Sequence, residues 1–131
     1  MSIAIQFQQP NLKRFIIALV VLLILDAIWL SLSYKMNVYP KVKNIKVHYG
    51  LLAWSALALA ISCAKPKTRE DALIYGSFVG FVCYAVINGT ELAIREDWRD
   101  KWYTAPIDLC WGTLALGTTS TVVHMIGTQI H

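Results

Sequence analysis

Four long stretches of apolar residues alternate along the chain with short polar segments. None of them shows the sustained alternation of a β-strand, so each predicts a helix. About 20 helical residues are needed to cross the apolar part of a bilayer. We therefore predict an all-α fold, an integral membrane bundle of four transmembrane helices with short loops that forms one domain over residues 1–131. The predicted spans are residues 15–36, 47–64, 72–94 and 102–126.

Local signals support these boundaries. Residues 1–14 are a polar lead that ends in two basic residues. Thr68, with Asp71 three positions later, is typical of a helix N-cap before the third span. Gly127 is typical of a helix stop and predicts the end of the fourth span there.

The composition indicates a membrane protein as well. Of the 131 residues, 56% are hydrophobic and 15% charged, whereas soluble domains average about 45–50% and about 25%. The net charge is +4, and the 12 Lys and Arg residues lie in loops and before the first span, where they anchor a protein to lipid headgroups. No basic face or nucleic-acid-binding motif accompanies them, so we predict the lipid bilayer as partner and no nucleic acid. The basic residues are divided too evenly between the two sides to predict the orientation.

Polar residues inside the predicted spans are the candidate chemical groups. Asp26 lies near the middle of the first span, Asn88 and Glu91 toward the end of the third, and Asp108 near the start of the fourth. The third and fourth spans run in opposite directions, so Glu91 and Asp108 share one leaflet. A carboxylate inside a bilayer costs several kcal/mol unless it faces the bundle and finds a partner. We therefore expect the three acids to line one cavity.

Helical spacing groups further residues with these acids. One face of the third span carries residues at steps of four and three, namely Gly76, Gly80, Tyr84, Asn88 and Glu91. The G-x-x-x-G spacing of the two glycines allows another helix to approach closely. Small and polar residues form similar stripes on the first and fourth spans. The predicted helix-packing residues are Gly76, Gly80 and Gly112, and the candidate intramembrane polar site is Asp26, Trp29, Tyr84, Asn88, Glu91 and Asp108.

A purely structural role competes with a functional one at this site. Intramembrane polar groups also join helices by hydrogen bonds worth about 1 kcal/mol each. We favour that role for Asn88 and Trp29, and weigh the two roles evenly for the three carboxylates. His48 and His124 lack metal-ligand spacing, and the three cysteines lie on separate segments. We therefore predict no metal site and no cofactor.

Several motifs of the chain are similar to those of a known family. The most specific are Leu25-Asp26-Ala27-Ile28-Trp29-Leu30 and Asp108-Leu109-Cys110-Trp111-Gly112, and between them lie Tyr39, Gly80, Tyr84, Asn88-Gly89-Thr90-Glu91 and Trp98. In these residues the chain resembles the uncharacterised membrane proteins grouped as the domain of unknown function 2177 family. The resemblance covers most of the chain, although the family pattern has Asn at the position of Glu91. It implies four helices in a membrane and brings no established activity.

Three functions are compatible with these features. The sequence contains no Ser/His/Asp order, phosphate loop or haem-type histidine pair, so we favour an accessory or assembly subunit of a membrane complex over an enzyme. Its partners would be other membrane subunits or further copies of itself. The alternative is a small membrane enzyme or binder that acts on a lipid or isoprenoid through Asp26, Glu91 and Asp108. The third hypothesis is a proton or cation translocator.

Overall fold

The computed structural model describes residues 5–36, 47–96 and 102–129. Within these ranges four long helices run alternately up and down, and two short strands pair at one end. The elements in chain order are β1 (Ile5–Phe7), α1 (Leu12–Lys35), α2 (Val47–Cys63), β2 (Ala64–Pro66), α3 (Arg69–Ile94) and α4 (Thr104–Gln129). The predicted helical class and the four helices are confirmed.

Three of the helices have the length and hydropathy of a membrane span: Leu12–Lys35, Arg69–Ile94 and Thr104–Gly127. The helix α2 is also apolar but has 17 residues, which at 1.5 Å per residue is about 26 Å. It is therefore shorter than the bilayer core of about 30 Å. Large apolar side chains such as Phe78 and Val86 are exposed on the outer faces, as expected where the surroundings are lipid.

The helices α1 and α3 each begin three residues before the predicted membrane span, directly after a capping residue. The Asn11 side chain accepts a hydrogen bond from the backbone N–H of Lys13 at 2.9 Å. The Thr68 hydroxyl accepts one from the backbone N–H of Asp71 at 3.1 Å, which confirms the predicted N-cap. Each cap satisfies a backbone donor that the first helical turn leaves without a partner.

The predicted helix stop at Gly127 is wrong, because α4 continues to Gln129. Gly127 instead lies against the side chain of Arg14. A Cβ atom at Gly127 would come within 3.3 Å of the Arg14 Nε. The glycine therefore serves the close approach of the start of α1 to the end of α4.

The prediction of a purely helical chain missed the two strands. β1 pairs antiparallel with β2, with Ile5 opposite Pro66, and the backbone N–H of Gln8 donates to the Cys63 carbonyl at 2.8 Å. Strands of three residues are too short to show an alternating pattern. Their pairing holds the polar lead against the link between α2 and α3.

The hydroxyl of Tyr75 on α3 caps the carboxyl end of α2. It donates to the Ala60 carbonyl at 3.0 Å, one of the last four carbonyls that have no partner inside the helix. We expect Tyr75→Phe to lower the free energy of unfolding in detergent by about 1 kcal/mol, because the ring is kept and the hydrogen bond is lost. Tyr34 is exposed, so Tyr34→Phe should leave stability unchanged; equal losses in both variants would contradict this role.

The helices α1 and α4 occupy the centre of the bundle. The most extensive contacts join α3 to α4, and α1 contacts both α2 and α4. The buried apolar core is contributed by α1, α2 and α4 and consists of Ala18, Leu22, Ala58, Ile61, Ala115, Leu116 and Val123.

Small residues allow α3 and α4 to pack closely along their length. Gly76 lies against the backbone of Leu116 and the side chain of Ser120, and Gly80 lies against the backbone of Gly112. A step of four residues up α3 is therefore matched by a step of four down α4, as expected for antiparallel helices with 3.6 residues per turn. A Cβ on either α3 glycine would overlap the α4 backbone. This register brings the polar residues of the two helices to the same level.

Candidate functional site

The first contact of the candidate site joins α3 to α4. The side-chain amide of Asn88 donates to Asp108 Oδ2 at 2.8 Å and to the Tyr84 carbonyl oxygen at 2.8 Å. Asn88 and Asp108 are 6% and 5% exposed. Asn88 lies one turn after Tyr84 on the face of α3 that packs on α4, which brings it opposite Asp108. The buried carboxyl group thereby receives the donor that an apolar environment requires.

The second contact joins α1 to α4 through Trp111. Its indole N–H donates to Asp26 Oδ1 at 3.3 Å, and its ring stacks on Trp29 with centroids 5.0 Å apart and planes at 8°. Trp29 follows Asp26 by three residues, so both side chains lie on one face of α1. The indole of Trp111 therefore contacts both Asp26 and Trp29.

The other oxygen of Asp26 differs from these groups. Asp26 Oδ2 is buried and has no hydrogen-bond partner within the described part of the chain. The Trp54 side chain of α2 lies near this carboxyl group, and Asp108 is close enough to act on its charge. Because Oδ2 has no donor among these residues, Asp26 can accept a further hydrogen bond. Such a bond would recover the free energy that a buried oxygen without a donor costs.

Tyr84 lies between the two contacts. Its ring covers Gly112, where a Cβ would overlap the ring carbons. The phenol is also close enough to Asp26 and Asp108 to interact electrostatically with both. The structure thus brings together five of the six predicted site residues, including two acids.

Glu91 is not part of this group. Its carboxylate forms an ion pair with Arg95 at 3.3 Å, and the two side chains are 35% and 45% exposed. The interior therefore contains two of the three predicted acids, Asp26 and Asp108. Burying a third carboxylate would cost several kcal/mol, whereas the position near the end of α3 supplies a cation one turn away.

The prediction of the site left out Trp111 and Trp54. Asp26 with Trp29 and Asp108 with Trp111 repeat one pattern, Asp-x-x-Trp, on two helices. That repeat could have predicted the contact between Trp111 and Asp26, since the tryptophan of one helix can donate a hydrogen bond to the aspartate of a facing helix. No comparable pattern marks the tryptophan of α2.

The chemistry of the site is that of carboxyl oxygens, an amide, a phenol and indole rings in an apolar surrounding. Such groups can exchange hydrogen bonds or a proton. Across residues 5–36, 47–96 and 102–129, no group of three or more His, Cys, Asp and Glu side chains is placed to bind a metal ion.

Apolar outer faces and buried polar contacts between helices define a helical integral membrane protein. The chain belongs to the family of predicted membrane proteins designated domain of unknown function 2177, whose family model matches residues 11–125. The resemblance drawn from the sequence motifs is thereby confirmed. No curated protein and no solved structure matches the chain. Two motif residues, Tyr39 and Trp98, lie outside the residues that the structure describes.

Proposed function

We propose that the protein is a non-catalytic accessory or assembly component of a membrane protein complex. The observation that carries this proposal is that two hydrogen bonds between interior side chains join separate helices. Asn88 binds Asp108, and Trp111 binds Asp26. These bonds join α1, α3 and α4, and fixing helices relative to each other is a common role of intramembrane polar groups.

The outer face of α3 supports the same proposal. Phe78, Phe81 and Val86 are 65%, 51% and 62% exposed, and they lie away from the glycine face that packs on α4. Van der Waals packing is a main source of helix association in membranes, and within the described part of the chain this face is free to pack on a partner helix. The partner would be another membrane subunit or a second copy of the chain.

A second function, an enzyme or binder acting on a lipid or isoprenoid, is favoured by one observation. Asp26 Oδ2 is buried and lacks a donor within the described residues, and Asp108 is nearby. A polar group of a substrate could fill this position, with the two acids taking part in proton transfer.

Asp26→Asn separates the two functions. The amide keeps an oxygen that can accept the Trp111 hydrogen bond, so the link between α1 and α4 remains, but the carboxyl group is removed. When this variant is expressed in cells that lack the wild-type protein, we expect it to copurify with the same proteins, in the same stoichiometry, as the wild type does. The membrane lipid profile, measured by mass spectrometry, should be identical for the two.

A variant of the outer face provides the matched control. Phe78→Ala combined with Phe81→Ala should reduce the copurifying proteins without altering the lipid profile. Two results would contradict the proposal. The first is a membrane lipid profile that changes in the Asp26→Asn variant although the amount of protein is the same as for the wild type. The second is that the wild-type protein copurifies with no stoichiometric partner and does not self-associate in lipid nanodiscs.

A further inference from the structure

A cavity of about 530 Å³ lies apart from the candidate site, at the opposite end of the bundle. It is bordered by β1, the start of α1, the end of α4 and the link between α2 and α3. Its lining contains four cationic side chains, Lys13, Arg14, Lys65 and Lys67, and also His124.

The strand pair brings these cations together from distant parts of the sequence. Gln6 lies opposite Lys65 in the β1–β2 ladder, so the polar lead and the link after α2 run side by side. Arg14, in the first turn of α1, lies against Gly127 of α4. The lysines of the link and the basic pair of α1 therefore line one volume.

None of the four cations forms an ion pair with an acidic side chain of the described residues, although Glu70 and Asp71 begin α3 shortly after Lys67. Lys13 and Arg14 lie in a first helical turn that contains no acid, where the helix dipole already contributes partial positive charge. The ion pair between described residues joins Arg95 and Glu91, which lie near the other end of the bundle. Cations held together in this way are stabilised when an anion binds among them.

The imidazole of His124 is a further polar group beside this cavity. His124 is 9% exposed and lines the cavity. Its Nδ1 atom is buried without a hydrogen-bond partner in the described part of the chain. Buried polar atoms nearly always have a partner, so the described residues leave this imidazole incompletely hydrogen-bonded.

We propose that this cavity binds a phosphate group. Phosphate oxygens accept strong hydrogen bonds from Lys, Arg and imidazole donors. The cavity lies where the spans α1 and α3 begin and α4 ends, which is the depth of lipid headgroups. An anionic phospholipid is therefore the source that this position favours, and free phosphate shares the same chemistry. The proposal does not depend on the accessory function proposed above.

Native mass spectrometry of the full-length protein in mild detergent tests the proposal. Titration with phosphatidylglycerol and with phosphatidylcholine should show one site that prefers phosphatidylglycerol by at least about tenfold. The double variant Lys65→Gln/Lys67→Gln should weaken phosphatidylglycerol binding about 20- to 30-fold, because each substitution removes one charged donor to the phosphate, at roughly a fivefold factor each. Both lysines are exposed, so the fold is retained.

A second double variant provides the matched control. Lys35→Gln/Arg69→Gln removes the same charge from positions outside the cavity lining, so it should change the affinity less than twofold. Inorganic phosphate then distinguishes the sources. Displacement of phosphatidylglycerol by millimolar phosphate in the wild type identifies a site for free phosphate, and retention of the lipid identifies a headgroup site; either result supports a phosphate site.

Two results would overturn the proposal. The first is equal affinity for the two lipids, and the second is an equal loss of binding in both double variants, which is the behaviour of a generally charged surface. The part played by His124 is tested separately by His124→Phe, which keeps the ring but removes its nitrogens and is expected to bind phosphatidylglycerol several-fold more weakly. An unchanged affinity in this variant would remove the buried imidazole from the site.

Discussion

Replacing Gly80 with alanine is expected to cost about 3 kcal/mol of unfolding free energy, at the upper end of the usual range for overpacking. The added methyl group would overlap the carbonyl of Gly112. Because the obstacle is backbone, a rotation of a side chain cannot relieve the overlap, and α3 must move away from α4. In a bilayer this close packing is a main source of helix association. Thermal or denaturant unfolding in detergent measures the loss.

Gly89 is the matched control for this substitution. It lies on the same helix, and a Cβ there meets no atom within 4 Å. Gly89→Ala should therefore be neutral or stabilising by up to about 1 kcal/mol, since alanine has the higher helix propensity. Equal melting temperatures for the two alanine variants would show that the α3–α4 approach does not depend on Gly80.

The packing of α3 on α4 is the part of the fold that the sequence predicts best. Gly76, Gly80, Tyr84 and Asn88 recur every four residues, and a stripe of this kind has one natural use in a membrane, which is to face another helix. The antiparallel direction follows from the short connection between the spans. The sequence therefore predicts that this stripe of α3 packs on another helix and that the end of α3 shares a leaflet with Asp108. The structure adds that the helix is α4 and that Asn88 is the residue that meets Asp108.

The sequence does not predict in the same way which face of α1 points toward the other helices. Apolar residues surround this helix on most faces, because lipid and protein neighbours favour the same side chains. The sequence thus predicts that Asp26 and Trp29 share a face, but not that Trp111 is the residue they meet. The contribution of α2 through Trp54 was missed for the same reason.

Glu91 shows why spacing by itself overestimated the polar site. It continues the α3 stripe at a step of three, so periodicity includes it with Asn88. Its environment is decided instead by the competing free energies of burial and of pairing. An exposed ion pair is worth only about 0–1 kcal/mol, but it avoids the several kcal/mol that a further buried carboxylate would cost. Arg95, one turn later, is the residue that decides the outcome.

The short elements at the cavity end were equally hidden, although their residues are visible in the sequence. Three-residue strands have no pattern of their own, and the pairing of Ile5 with Pro66 is a long-range contact. From the sequence, the polar lead therefore looks like an N-terminal tail that packs on nothing. In the structure it supplies one side of a cationic cavity.

The second large effect is expected for Asn88→Asp, which keeps the shape of the side chain but replaces the donor that faces Asp108. Two carboxyl groups would then meet at the present 2.8 Å separation, with both positions nearly fully buried. We expect a loss of about 3 kcal/mol at neutral pH, the upper end of the cost of leaving a buried acceptor without its donor. Glu91→Gln, which removes a carboxylate from the exposed ion pair, should cost at most about 1 kcal/mol.

The exchange variant decides whether this loss comes from the contact itself. Asn88→Asp combined with Asp108→Asn restores one carboxyl group and one amide with their helices exchanged. If the hydrogen bond between α3 and α4 is the source of the stability, the double variant should be clearly more stable than Asn88→Asp, and the double-mutant cycle should give a coupling of at least about 2 kcal/mol. If the losses of unfolding free energy in the two single variants simply add in the double variant, each residue stabilises the protein through other contacts. The hydrogen bond between Asn88 and Asp108 would then not be what fixes α3 against α4.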